Sequence, residues 1–474
     1  MSNQGSENIK LYTHNIHSKT IVNIGSRLEM FLDDYLIENS SRGVNIRLHS
    51  PIKREIVLET NKPWEGPASA YYTVFKDGSI IRLYYRGFAI SDTSENQVTC
   101  YAESTDGIHF NRPNIGLYEF KGSKNNNIIF MGYESHNFAP FLDINPNTKE
   151  NERYKAIGAR WPKINGQFEC QLHAFKSPDG INWTRIRENP IRTKGAFDSL
   201  NVAFYDSSEQ CYRLYSRNFD VEGYRIIQWS TSKDFINWSD PQPNRYPPGY
   251  PIEHLYTNAT IPCPGAEHIY LSFPKRFVPE RKKVIECSEN GVSDAVFMSS
   301  RDGALWNRFA EGWIRPDLDK KDWTHRSNMP AWGIIQVDPN EFSFYISENY
   351  CWPTNRLRRM TIRRHGFSSM HADYNGGEFT TRPLTFNGKH LILNYSTSAV
   401  GFVKVEIQDQ KGKPLPGYTL DDMLPLYGNE LDSPVEWQTG SNIASLNGQI
   451  VRFRFFLKDA DIYALRTGEL KIQR

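Results

Sequence analysis

An all-β fold, a five-bladed β-propeller with an appended C-terminal β-sandwich, is predicted by three features of this 474-residue sequence. A short motif, Ser-x-Asp-Gly-x-x-aromatic, is written four times in nearly the same form, with Phe235 at the glycine place in one copy. It appears at Ser104-Thr105-Asp106-Gly107, Ser177-Pro178-Asp179-Gly180, Ser232-Lys233-Asp234-Phe235 and Ser300-Arg301-Asp302-Gly303, each closed by Phe110, Trp183, Trp238 or Trp306. The copies are roughly 55–75 residues apart and each follows a strand-like run, the pattern of stacked similar β-units. Aromatic residues, Gly and Pro are dense throughout, and no long segment carries sustained 3.6-residue apolar periodicity, so strands dominate.

The motif itself is turn chemistry. Asp accepts from its own downstream amides, Gly tolerates positive φ, and the aromatic folds back as an apolar plug. If each copy closes the third strand of a blade, the two preceding strands can be read backwards. Blade one is then 68–76, 79–88 and 97–103; blade two is 138–145, 154–160 and 169–176; blade three is 200–206, 212–218 and 224–231. Blade four takes 257–262, 268–276 and 294–299. Blade five takes 331–337, 341–348 and 357–364, ending in a degenerate corner, His365-Gly366-Phe367. The strand-like stretches 28–38 and 44–50 are expected to complete the outer edge of the last blade and so close the ring. These elements make 1–373 the propeller, carrying the catalytic site. The alternating runs 391–396, 402–408 and 451–457, with a turn at Gly412, make 374–474 the sandwich.

Charge and cysteine content exclude several classes. A net charge of +2 with both signs interspersed gives no field for nucleic acid and no polybasic run for a membrane surface. The six cysteines, Cys100, Cys170, Cys211, Cys263, Cys287 and Cys351, form no CxxC pair and no metal-ligand spacing with histidine, and read as reduced, mostly buried thiols. The first eight residues lack a basic and apolar leader, which suits a cytoplasmic protein.

In a propeller the innermost strand of each blade starts on the face where the second strand ends, so both positions ring one axial pocket. Inner-strand starts supply Trp64, Glu65, His136, Asn137, Asp198, Asn201, Glu253, His254, Asn258, His325 and Arg326. Second-strand ends supply Arg86, Arg160, Arg217, Lys275 and Arg276. Three carboxylates, Glu65, Asp198 and Glu253, are thus the candidate catalytic groups. Trp64, Arg86, Asn137, Arg160, Asn201, Arg217, His254, Asn258, Arg276 and Arg326 are the candidate substrate contacts. Glycosidic cleavage needs one carboxyl to protonate the leaving oxygen and another to act as nucleophile or activate water. Clustered like charges hold one of them protonated near neutral pH, and arginines orient carboxylates or grip an anionic substrate. Each has a plain structural alternative: Glu65 pairing with Arg86, Asp198 capping a turn, the arginines closing ion pairs between blades. Asp33, Asp34, Asp143 and Glu311 are weaker carboxylate candidates. No cofactor is expected, although His136 and His254 leave room for an axial structural metal ion.

The repeated S-x-D-G-x-x-W corners, the blade count, and Trp64-Glu65 ahead of 72–76 and the Asp77-Gly78 turn resemble the five-bladed propeller glycosidases. That superfamily includes glycoside hydrolase families 32, 43, 62, 68, 117 and 130, and the opening blade looks most like family 130. The resemblance implies a glycosidase (O-glycosyl hydrolase) with an axial carboxylate pocket, exo-acting on an oligo- or polysaccharide, its partner a carbohydrate that the arginines suggest is anionic. Two alternatives stay open: a phosphorolytic enzyme like family 130, with the arginines binding inorganic phosphate, and a non-catalytic carbohydrate-binding propeller. Oligomeric state is not legible.

Overall fold

A computed structural model describes residues 21–88 and 97–470; the first eight residues, read above for a leader, lie outside them. Strands make up the fold, joined by turns and short 3-10 segments, and no helix among the described residues is long and apolar enough to cross a membrane. The chain forms two compact units, one of 51–246 with 250–361 and one of 1–50 with 247–249 and 362–474.

Five four-stranded sheets build the unit 51–361. The first is Ala70–Asp77, Ile80–Gly87, Val98–Ser104 and Ile128–Met131; the second is Ala139–Leu142, Tyr154–Arg160, Gln171–Ser177 and Thr184–Arg185. The third is Val202–Asp206, Cys211–Phe219, Arg225–Ser232 and Gln242–Pro243; the fourth is Ile261–Cys263, Ala266–Ser272, Met298–Ser300 and Trp306–Arg308. A three-stranded extension, His254–Leu255, Lys275–Val278 and Val292–Ala295, accompanies the fourth. In the fifth, Met329–Pro330, Glu341–Glu348 and Arg356–Arg363 are completed by Ile52–Glu59, which pairs antiparallel with Arg356–Arg363.

That last strand corrects one expectation. The stretches 28–38 and 44–50 do not close the fifth sheet: Val44–Leu48 pairs instead with Ser368–Ala372 in the other unit, and the closing strand is the next one along. Ile52–Glu59 was not legible because it is mostly exposed and breaks strict alternation, with register shifts at Leu357/Arg358 and Arg358/Met360. The units accordingly divide at 50/51 and 361/362 rather than at 373/374, and residues 21–50 belong with the C-terminal strands.

All four corners form as the motif predicts. Ser104 Oγ accepts from Gly107 N at 2.9 Å, and Asp106 Oδ1 accepts from Ile108 N and His109 N at 2.8 and 2.9 Å. The same set recurs at Ser177/Asp179 and Ser300/Asp302. Ser232/Asp234 keeps the Asp bonds while Phe235 takes the glycine place at φ 65°. Each corner packs on the preceding sheet. Tyr215 donates to the Gly303 carbonyl, Phe235 packs on Phe141, and a Cβ at Gly180 would sit 2.6 Å from Tyr84 Oη. The first corner meets the fifth sheet, where Tyr345 donates to the Gly107 carbonyl at 2.7 Å. The innermost strands of these two sheets also exchange backbone bonds, Val74 N to Trp332 O and Trp332 N to Tyr72 O.

The unit of 21–50 and 362–470 is one hydrogen-bonded set of ten strands. Two of the predicted runs merge into a single bulged strand, His390–Asp409, which pairs along its length with Val451–Gly468. Alternation along both puts Val403, Val405, Ile407, Phe453, Phe455 and Leu457 inside, and Phe31 packs edge-on against Phe379 and Phe455.

Candidate functional site

The three predicted carboxylates part company. Glu65 is 2 % exposed and fully engaged: its carboxylate accepts from Tyr85 Oη at 2.6 Å, from Arg112 Nε at 2.9 Å and from Lys62 N at 3.1 Å. Its partner is therefore Arg112, not Arg86, and it belongs to the interior of the first sheet. Trp64 beside it donates to Asn127 Oδ1 at 2.7 Å.

Asp198 is held open. Phe197, Ser199 and Leu200 on either side are buried, and Asn137 Nδ2 grips the carbonyls of Phe197 and Ser199, so the backbone is pinned while the Asp198 side chain stays 46 % exposed. Its Oδ1 lies 2.7 Å from His136 Nε2 and its Oδ2 3.7 Å from Arg217 Nη2. His136 Nδ1 lies 2.9 Å from Gln97 Oε1 and 3.2 Å from Arg86 Nη1; the Asp198 carboxylate can only accept, so Nε2 carries a ring proton toward it.

Around this pair stand cations and aromatic faces. Arg86 lies over Tyr71 at 4.7 Å and donates to the Ala68 carbonyl; Arg217 lies over Tyr256 at 4.7 Å and donates to the Ala196 carbonyl. Arg225 stacks on the same Tyr256 at 5.4 Å. Lys275, fully buried, sits 3.8 Å from that ring's centre, and Arg326 donates to Tyr350 Oη at 3.0 Å. Tyr71 holds a φ of 58° at a register shift in the innermost strand, and its buried hydroxyl has no hydrogen-bond partner.

Electrostatics follow from this crowding. Burial alone would raise Asp198, but the His136 hydrogen bond and the Arg217 and Arg326 guanidiniums outweigh it and hold the carboxyl well below its usual range. Burial and Arg86 pull His136 down to about 4 against the opposing Asp198, so the pair is a neutral imidazole donating to an ionised carboxylate. Burial and the neighbouring arginines push Lys275 well below the ordinary lysine value.

Glu253 lies in a neighbouring cleft of about 1010 Å³, lined also by Tyr224, His254, Arg276, Asp294 and Glu311. It pairs with Arg276 at 3.2 Å and Arg308 at 2.9 Å, and Arg276 is clamped by Asp294 at 2.6 Å. His254 Nδ1 accepts from Arg225 N, which joins the cleft to the Asp198 region. His136 and His254 have these separate partners. Arg160 stands apart too, near Tyr133 and His173. Asp143 is buried against Lys155 and Tyr212, and Asp33 caps Tyr35 N in the other unit.

The predicted asparagines are stitches between sheets. Asn137 reaches from the second sheet to Phe197 and Ser199, Asn258 from the fourth to Leu200 and Tyr215, and Asn201 holds the Phe197 and Ser199 carbonyls within its own lead. Asn328 and Asn355 continue the series, the latter tying the fifth sheet to Pro67 and Ser69. All five are buried, which leaves their carboxamides to the backbone rather than to a ligand.

Sequence reasoning missed Gln97, Arg225 and Tyr71. The first two are findable, because the start of a third strand lies at the same sheet end as the finish of the second. Tyr71 is not, since a bulge turns it.

No family model and no curated protein matches the chain. Its structure is similar to a glycoside hydrolase (14 % identity, 66 % of this chain and 92 % of the other, TM-score 0.43). It is also similar to a thermostable family-43 glycoside hydrolase (13 %, 65 % and 92 %, TM-score 0.42). A third similarity is to a structure of the GH130 family of mannoside phosphorylases, described as containing glycoside hydrolases that target beta-1,2 mannosidic linkages in Candida mannan (14 %, 71 % and 96 %, TM-score 0.40). These similarities run to glycoside hydrolases, the group the sequence resembles, and assign no family.

Proposed function

We propose that this protein cleaves glycosidic bonds, in a pocket at the axis of a five-bladed propeller formed by 51–361, with an appended sandwich formed by the remaining strands. Asp198 is the reacting carboxylate. Arg86, Arg217, Arg225 and Arg326 seat an anion, and the buried rings of Tyr71 and Tyr256 back the guanidiniums of Arg86, Arg217 and Arg225. The carrying observation is one exposed carboxylate, oriented by a neutral histidine, among four guanidiniums and Lys275.

A lone carboxylate in a cationic pocket favours phosphorolysis. Inorganic phosphate seated among the arginines attacks the anomeric carbon, the bond to the glycosidic oxygen breaks, and that oxygen leaves with a proton. An anion among the guanidiniums offsets the field that keeps Asp198 ionised, so its carboxyl can carry that proton. Hydrolysis is the second reading, favoured by the position of Glu253 on an open cleft: Glu253 then supplies the other carboxylate of an exo-acting hydrolase.

A panel of aryl glycosides and oligosaccharides, assayed with and without phosphate, tests this. Phosphorolysis predicts a sugar 1-phosphate formed only with phosphate, lost in Asp198→Asn and kept in Glu253→Gln. Phosphate-independent sugar release that collapses in both variants selects hydrolysis. Saccharide binding without turnover across the panel would overturn both readings in favour of a binding propeller.

A further inference from the structure

We propose that Cys287, His325 and Cys351 form a binding site for a thiophilic divalent metal ion of the zinc class. The ligands come from three separate stretches of one unit: the hairpin between Lys275–Val278 and Val292–Ala295, the lead into the fifth sheet, and the turn after Glu341–Glu348. One ligand atom from each lies within 4.8 Å of the other two. Cys287 Sγ is 3.9 Å from His325 Nδ1, and Cys351 Sγ is 4.0 Å from His325 Nε2. Metal–sulfur bonds of about 2.3 Å and metal–nitrogen bonds of about 2.0–2.1 Å on a tetrahedron set ligand atoms roughly 3.5–3.8 Å apart, so small side-chain rotations close the site.

The donor chemistry selects the ion. Two thiolates and an imidazole are soft to borderline ligands, which suit zinc and its neighbours and disfavour calcium or magnesium. Cys287 and His325 are buried and Cys351 half-buried, so the donors face one another largely away from water. Two thiolates cancel the charge of a divalent ion, which therefore sits beside Arg326 and Lys275 without adding net positive charge. With three protein donors, a water completes the tetrahedron.

The place gives the ion a task. His325 packs edge-on against Tyr350 at 5.3 Å, its carbonyl accepts from Lys275 Nζ at 3.0 Å, and the next residue is Arg326. A metal here anchors the wall from which Arg326 and Lys275 reach toward Asp198. The site stands whether or not the chain cleaves glycosides.

The test uses full-length protein stripped with a chelator and reloaded with Zn2+ or Co2+. One equivalent of bound metal and a thiolate-to-cobalt charge-transfer absorption are expected. Cys287→Ser and Cys351→Ser should each weaken binding by more than about 100-fold, beyond what loss of an outer-sphere hydrogen bond costs. Cys263→Ser, buried elsewhere, should leave it unchanged. Should the serine variants fail to fold, Zn2+ must still slow alkylation of Cys287 and Cys351 in the native protein, read by mass spectrometry. Substoichiometric metal in the reloaded protein, affinity unchanged from the native protein in either serine variant, or a mapped Cys287–Cys351 disulfide would each overturn the proposal.

Discussion

Glu65 and Asp198 occupy matching positions, each on the lead into an innermost strand, and the fold uses them in opposite ways. Glu65 is sunk and its oxygens are taken by Arg112, Tyr85 and a backbone amide. Asp198 has its backbone pinned by Asn137 while, among the described residues, its oxygens meet His136 and Arg217 and the side chain stays 46 % exposed. The repeat supplies the position. Whether a carboxylate there holds the structure or reacts is decided by how many donors the neighbouring elements bring to it.

The sharpest way to break this contrast is to neutralise each carboxylate in turn. Asp198→Asn should lower product release by about 10²–10⁴-fold, the usual span for a lost acid–base group, while the thermal melt stays cooperative. Glu65→Gln should do the reverse, leaving the partly exposed Arg112 without its counter-charge and costing about 1–3 kcal/mol in denaturant unfolding while kcat holds. Activity lost in the second variant at a temperature where it remains folded would dissolve the distinction.

A third carboxylate sharpens it by pH. Burial, then the nearby Glu348, lift Asp322 from 3.8 to about 6. Its folded value lies above its unfolded one, so the proton is held more tightly in the folded state. Stability from this group is full below about pH 4, declines as pH rises toward 6, and levels off above. The loss is about 3 kcal/mol, since each tenfold difference in proton affinity between the folded and unfolded chain is worth about 1.4 kcal/mol. Denaturant midpoints of Asp322→Asn should lack that decline. The smallest effect is expected from the stitches: Asn258→Ala frees two buried carbonyls and should cost about 1–3 kcal/mol with KM unchanged. A raised KM would return Asn258 to the substrate.

Much of this was legible in advance, for an identifiable reason. Turn chemistry is local, so Ser104, Asp106 and their repeats could be read directly, and the second and third strands of the first three sheets followed from the corners; the fifth sheet, which has no such corner, starts at Met329–Pro330 rather than at 331–337. The arginines at strand ends were legible as a set. Partner choice was not: Arg112 lies far along the chain from Glu65, and the closing strand Ile52–Glu59 is told from its neighbour Val44–Leu48 only by which distant strand it meets. Cys287, His325 and Cys351 escaped for the same reason, since no short spacing connects them.

The pairing of Ile52 with Thr361 has one more consequence. Those residues open and close a chain segment of five sheets, and on the other side Leu48 pairs with Ser368. Each unit thus carries its entry and exit points side by side, the arrangement that lets one coding segment be spliced into another without disturbing either product. The 51–361 segment is a removable cassette: expressed alone it should keep its pocket, and a short linker from 48 to 368 should leave the ten strands able to find one another.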